Sequence, residues 1–188
     1  MITLILGGAR SGKSTFAEKL ALEEKARTVT YIATADSQDA EMEERISIHK
    51  KRRPGGWRTW EGAIEALPRE VALMEGVLLF DCLTMYLSRL FLASPHADSD
   101  DEKKWIAAEG EILESLEAIY GNFVHSGGGE KHLIVVSNEV GFGLVPPYRM
   151  GRRFRDLQGR GNQLSADYAD NVALVVAGLP LWVKGGTQ

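Results

Sequence analysis

A chain of 188 residues, 44% hydrophobic and 26% charged, has the size and balance of one soluble α/β domain with a proper core and is short for two. Its net charge of −4 offers no overall basicity to recruit nucleic acid or an anionic membrane surface, so neither partner is expected. With a single cysteine, Cys82, no charged leader before the first apolar segment and no apolar run near the ~18 residues of a bilayer span, the expected setting is cytoplasmic, without membrane insertion.

Residues 1–6 are apolar and β-prone and predict a first strand. They run into GGARSGKS, the G-x-x-x-x-G-K-S spacing of a P-loop: Gly7, Gly8, Ala9, Arg10, Ser11, Gly12, Lys13 and Ser14. Beyond it Phe16, Leu20 and Ala21 fall on one side of a helical repeat, with Glu18 and Lys19 on the other. In this strand–loop–helix setting the glycines let the backbone bend around a phosphate chain with its N–H groups inward. The following helix adds its positive end. Lys13 is placed to reach the β- and γ-phosphates and Ser14 to ligate Mg²⁺. The chain is therefore expected to bind a nucleoside triphosphate.

Residues 28–34 (TVTYIAT) predict a second strand, ending in Ala35, Asp36 and Ser37, a polar stretch suited to capping a helix. Good helix formers fill 39–53 and stop at Pro54-Gly55-Gly56. A short strand over 57–61, a helix over 62–74 and a buried strand over 76–81 follow, the last closing on Asp81. Apolar residues at helical spacing cover 83–92, and an acidic exposed loop covers 94–101. The longest amphipathic helix is expected over 101–123, burying Trp105, Ile112, Leu113, Leu116 and Ile119, with a glycine-rich break at 126–129. Then come a strand over 131–137, a helix over 148–170, a strand over 171–177, a turn at 178–180 and a last short strand over 181–184. Strands alternating with helices predict one P-loop α/β domain over 1–188, RecA-like. Its sheet is mainly parallel, with helices on both faces and a short antiparallel C-terminal strand. Ligands in such sheets lie at the carboxyl ends of the strands. That edge would gather the P-loop, residues 34–36, Asp81 and the loop after Ser137.

Three constellations sit around the expected phosphates. Asp81 closes an apolar strand as a Mg²⁺-binding carboxylate would, although an aspartate there can also simply cap the next helix. On the 39–53 helix, His49 lies four residues after Arg45 and four before Arg53, so the three share a face. Their positive charge disfavours imidazolium and keeps the ring neutral, able to attack a phosphorus atom. The residues alone leave a solvated cationic face equally open. Finally, Arg149, Arg152, Arg153, Arg155 and Arg160 lie on the last helix, either to clamp the phosphates of a second substrate or to pair with acidic residues.

GGARSGKS, YIAT after the second strand, the D-x-E-M-x-x-R-I-x-x-H-x-x-R-R-P helix, WRTWE and SNEVGFGLVPPYRMGRRFRDLQGRGNQ together resemble the bifunctional adenosylcobinamide kinase/adenosylcobinamide-phosphate guanylyltransferase family. The resemblance spans residues 1–184. It implies phosphorylation of the aminopropanol hydroxyl of adenosylcobinamide by ATP or GTP. Transfer of GMP from GTP to adenosylcobinamide phosphate would follow, through a histidine–GMP phosphoramidate. His49 occupies that histidine's motif position, and Lys13 is the implied catalytic lysine. The implied nucleotide contacts are Gly7 to Ser14, Thr34, Ala35, Asp36, Lys50, Lys51, Arg52, Arg53 and Glu61, with Mg²⁺ at Ser14 and Asp81. A carboxylate at Glu61 can accept hydrogen bonds from the guanine N1–H and 2-amino groups. The family also implies a homotrimer. On the residues themselves a P-loop kinase of another small alcohol, with a structural His49, is the competing reading. A nucleotide-dependent switch would call for an N-K-x-D guanine motif, which the chain lacks.

Overall fold

The computed structural model describes residues 1–24, 28–35, 54–127 and 131–186. Their strands are β1 (Ile2–Gly7), β2 (Val29–Ala33), β3 (Arg58–Trp60), β4 (Val77–Asp81), β5 (His132–Asn138), β6 (Asn171–Val176) and β7 (Leu179–Lys184). They form one sheet in the order β3-β2-β4-β5-β1-β6-β7. All neighbours are parallel except β6 and β7, the antiparallel pair expected at the C-terminus. The helices are α1 (Lys13–Glu23), the one-turn α2 (Leu67–Glu70), α3 (Leu83–Ala93), α4 (Glu102–His125) and α5 (Arg149–Tyr168). This is the RecA-like P-loop arrangement the sequence predicts.

The central strands are apolar on both faces because both faces are covered. Leu78 and Phe80 of β4, and Leu133 and Val135 of β5, enter a large core with α3, α4 and α5. The alternate residues Val77, Leu79, Ile134 and Val136 enter a second core with Ala17 and Ala21 of α1. A period of two thus assigns each side chain to a helix layer. α4 buries Trp105, Ile112, Leu116 and Ile119 as expected, and adds Tyr120 and Phe123. Leu113 packs against that core only partly buried. Asp101 caps α4, its carboxylate accepting from the Lys103 and Lys104 N–H groups at 3.0 and 3.3 Å.

Two expectations are modified. Residues 62–74 form α2 flanked by 3₁₀ turns at Ile64–Ala66 and Val71–Leu73, not one helix. Pro68 is accommodated in the first turn of α2, where its missing N–H breaks no helical bond. The last turn also comes earlier, at Ala177 and Gly178, both with positive φ, so β7 begins at Leu179. The expected helix over 39–53 lies outside the described residues. No helix among the described residues is long and apolar enough to cross a membrane.

The arginines of α5 resolve toward pairing within the chain. The Arg153 guanidinium is buried, donating to the Ala97 and Ser99 carbonyls at 3.1 and 2.9 Å and to Glu102 at 2.7 Å. It also lies over the Trp105 ring, 5.1 Å from its centre. Arg149 donates to Ser99 O at 2.9 Å and pairs with Asp100 at 2.6 Å. Arg152 donates to the Pro147 carbonyl at 2.8 Å, and Arg160 pairs with Glu109. The cationic run therefore holds the acidic 94–101 loop and α4 onto α5.

Gly76 leads into β4 at φ +76°, and a Cβ there would stand 2.3 Å from the Thr28 carbonyl oxygen. That oxygen accepts the Val77 N–H at 2.9 Å, so it cannot retreat without loosening the β2–β4 entry. Gly76→Ala should cost about 3 kcal/mol, seen as a fall of roughly 6–12 °C in Tm. Gly55→Ala, where no described residue lies within 4 Å, should stay within about 1 kcal/mol. Equal midpoints for the two variants would refute the close-approach account.

Candidate nucleotide site

The carboxyl edge of the sheet carries the site. Following the strand order, it presents Glu61 just beyond β3, Thr34 and Ala35 beyond β2, Asp81 closing β4, Asn138 closing β5 and the P-loop beyond β1. Glu61 and the P-loop stand four strand spacings apart, about 19 Å along the edge. Asp36, Arg45, His49, Lys50, Lys51, Arg52 and Arg53 lie outside the described residues.

The P-loop is held in a nest-like curve by its own backbone. Gly12 sits at φ +94° immediately before α1, and Arg10 also has a positive φ of 58°. Ser11 N–H donates to Gly8 O at 3.2 Å, and Phe16 N–H to Gly12 O at 3.0 Å. A side chain at Gly7 would collide with Ser11 Oγ at 2.4 Å and the Val175 carbonyl at 2.8 Å. The turn after β6 braces the loop from outside. Gly178 N–H donates to Ser11 O at 2.7 Å, and its Cα lies 3.0 Å from where a Gly12 Cβ would be. Gly178 is a residue of the site that no motif spacing marks. The available signal was a glycine just past the carboxyl end of the strand neighbouring β1.

Lys13 is nearly buried and donates from Nζ to Gly8 O at 3.0 Å, so the side chain folds back across its own loop. Burial lowers its pKa, while the neighbouring Cys82 and Asp81 side chains work the other way. An ammonium has three donors, so this bond leaves capacity for phosphate oxygens. Asp81 continues the Val77–Leu79 face, which packs against α1. On the neighbouring strand the Tyr31 hydroxyl donates to Asp81 Oδ2 at 2.8 Å, fixing the carboxylate's orientation.

Thr34 is completely buried, and its hydroxyl is used in both directions. It accepts from Cys82 N–H at 2.9 Å and donates to Cys82 O at 2.8 Å, pinning the end of β2 to the residue after Asp81. The end of β5 is fixed as firmly. Asn138 N–H donates to Thr84 Oγ at 2.9 Å, and its carbonyl accepts from Asn162 Nδ2 at 3.1 Å. Glu139 N–H donates to Gly7 O at 3.1 Å. Ser137 points the other way, donating to Asn162 Oδ1 at 2.6 Å and accepting from Gln158 Nε2 at 2.9 Å.

A hard oxygen-seeking cation fits this donor set. One hydroxyl at the start of α1 and one strand-terminal carboxylate suit Mg²⁺, which completes its shell from phosphates and water. No cluster of three or more His, Cys, Asp or Glu among the described residues forms a dedicated all-protein metal site.

Cys82 is the one thiol beside this edge. Burial and the Asp81 carboxylate push its pKa up to about 12. At pH 8.5 it should carry about a thousandfold less thiolate than an ordinary cysteine. Iodoacetamide should therefore alkylate Cys82 rapidly only after unfolding. Equal labelling rates for native and urea-unfolded chain at that pH would contradict the partly buried, protonated thiol.

The chain matches, over residues 3–183, the family described as cobinamide kinase/cobinamide phosphate guanyltransferase. It is 42% identical over 187 residues to the bifunctional adenosylcobalamin biosynthesis protein CobP of Pseudomonas aeruginosa, covering 98% of each chain. It is 37% identical to the bifunctional adenosylcobalamin biosynthesis protein CobU of Salmonella typhimurium, covering 98% of this chain and 100% of that one. In fold alone it is similar to the flagellar accessory protein FlaH of Methanocaldococcus jannaschii. That likeness has a TM-score of 0.52 at 15% identity and covers 100% of this chain and 81% of the other. With the P-loop, the strand-terminal carboxylate and a family match running almost end to end, the chain belongs to the cobinamide kinase/cobinamide phosphate guanyltransferase family.

Proposed function

We propose that this chain catalyses two successive reactions of cobalamin biosynthesis on one domain. It phosphorylates the aminopropanol hydroxyl of adenosylcobinamide with ATP or GTP. It then transfers GMP from GTP to adenosylcobinamide phosphate, giving adenosyl-GDP-cobinamide and pyrophosphate. The observation that carries this reading is a formed P-loop two strands from Asp81, which lies on the same face of the sheet, in a chain that matches the family across residues 3–183. In the kinase step the loop N–H groups and Lys13 hold the transferring phosphoryl group, and catalysis is mainly positioning and charge stabilisation. Ser14 and Asp81 would hold Mg²⁺, which when bound supplies charge neutralisation to the phosphate oxygens.

For the second reaction His49 is the nucleophile we assign, on its motif position and its cationic neighbours Arg45 and Arg53 in sequence. Its ring nitrogen forms a P–N bond to the α-phosphorus as the bond to the bridging oxygen breaks, and pyrophosphate leaves. A phosphate oxygen of adenosylcobinamide phosphate then displaces the imidazole, restoring it. Asp36, Lys50, Lys51, Arg52 and Arg53 are assigned to the nucleotide on the same motif. In-line geometry is met if the P-loop grips the pyrophosphate leaving group while His49 approaches from the opposite side. Glu61 is assigned to guanine. Its place at the far end of the carboxyl edge suits a nucleotide lying along that edge with its phosphates at the P-loop.

The enzyme is taken to work in the cytoplasm as a homotrimer. An exposed apolar ribbon on β6 and β7, with Val176, Leu179, Leu181 and Val183 each more than half exposed, supports assembly.

His49→Asn should abolish the acid-labile, base-stable protein adduct formed from α-labelled GTP, and with it guanylyl transfer. Kinase turnover should stay within about threefold. Stoichiometric label at another residue would overturn the assignment and favour a kinase with a structural histidine. Glu61→Gln should weaken GTP about tenfold in the guanylyl step and leave ATP-driven phosphorylation within about twofold. Equal losses with both nucleotides would make Glu61 a structural residue.

A further inference from the structure

Asn138 closes β5, the strand lying between the P-loop strand and the strand that ends in Asp81. In register it stands opposite Gly7 of β1, two residues beyond the level of Asp81, which pairs with Val136. Its backbone is held on three sides. Its N–H goes to Thr84 on α3, its carbonyl to Asn162 on α5, and the next N–H to Gly7 O. Its side chain takes no part in this clamp, and among the described residues nothing hydrogen-bonds to its amide. The face it occupies follows from the alternation. Ile134 and Val136 pack on the α1 side, whereas Ser137 turns to Gln158 and Asn162 on α5. Asn138 therefore continues the α1 side, the side on which Lys13 and Ser14 begin the helix and on which Asp81 lies. Glu139, its neighbour in sequence, is turned to its own loop, accepting from Gly141 N–H at 2.5 Å.

A rigid backbone, an uncommitted amide and a place between the phosphate loop and the carboxylate describe a contact for the group that lies between them. We propose that the Asn138 side chain is a binding residue for the terminal phosphoryl group, its Nδ2 donating to a γ-phosphate oxygen. A neutral donor suits this place, because it adds a hydrogen bond where negative charge spreads over the equatorial oxygens during transfer. The inference rests on the reading that the P-loop takes a triphosphate in the kinase step.

The test compares β,γ-imido-ATP with ADP, each with Mg²⁺, by calorimetric titration of the full chain. Adenine nucleotides keep guanylyl transfer out of the measurement. Asn138→Ala should weaken β,γ-imido-ATP about ten- to hundredfold and leave ADP within about twofold. Asn138→Asp has the same size and shape but presents a charge to the phosphate, and should weaken β,γ-imido-ATP more than alanine does. Its matched shape keeps the experiment readable should the alanine variant fold poorly. Equal weakening of both nucleotides, or of neither, in the folded aspartate variant overturns the assignment of Asn138. Wild-type protein that binds neither nucleotide would instead refute the proposed kinase reading.

Discussion

The insertion of β5 between β1 and β4 is the constraint on which the site depends. It sets the P-loop strand and the carboxylate strand two spacings apart, about 10 Å, enough for a phosphate group and its cation between them. Adjacent strands would bring Asp81 against the loop itself. The insertion is stable because β5 is apolar on both faces, with Leu133 to Val136 all completely buried between the two helix layers. Leu78 and Phe80 of β4 contribute to the same large core as α3, α4 and α5. The packing that makes the strand order unique thus also fixes the width of the catalytic edge.

Around that edge, polar side chains fix both backbone and one another. Thr34 ties β2 to the residue after Asp81, Thr84 and Asn162 fix both backbone polar groups of Asn138, and Tyr31 orients the Asp81 carboxylate. Each bond removes a freedom that substrate binding would otherwise have to remove. Lys13 is the exception in kind. It is a cation in a partly dry setting that bonds to a loop carbonyl, and a bound phosphate offers it a charged partner in place of a neutral one.

Much of this was legible from residue order. The P-loop stood out because its spacing, the preceding apolar strand and the following helical repeat agree with one another, and β4 because five consecutive residues lead to one carboxylate. Residues 62–74 are rich in helix formers, but Pro68 within them has no N–H to continue a preceding helix, and the segment divides into α2 and two 3₁₀ turns. The arginines of α5 were legible as a cluster but not in purpose. Whether a guanidinium meets a phosphate or the Ser99 carbonyl depends on where the 94–101 loop returns, a tertiary fact no spacing contains. The bracing of the P-loop by Gly178 was hidden for the same reason, since the two segments meet only through the pairing of β1 with β6.

That bracing has a consequence for how the molecule is made. β1 precedes the other described strands in sequence, yet its partners are β5 and β6, and the turn that supports its loop follows β6. A growing chain carries the whole phosphate motif, with its local backbone bonds, before β5, β6 and the Gly178 turn that brace it from outside have been made. Contacts this distant in sequence make folding slow relative to helical bundles of the same length. Nucleotide affinity should accordingly emerge late and abruptly, with the last strands rather than the first. A nascent or C-terminally shortened chain would then leave the cell's triphosphate pool untouched.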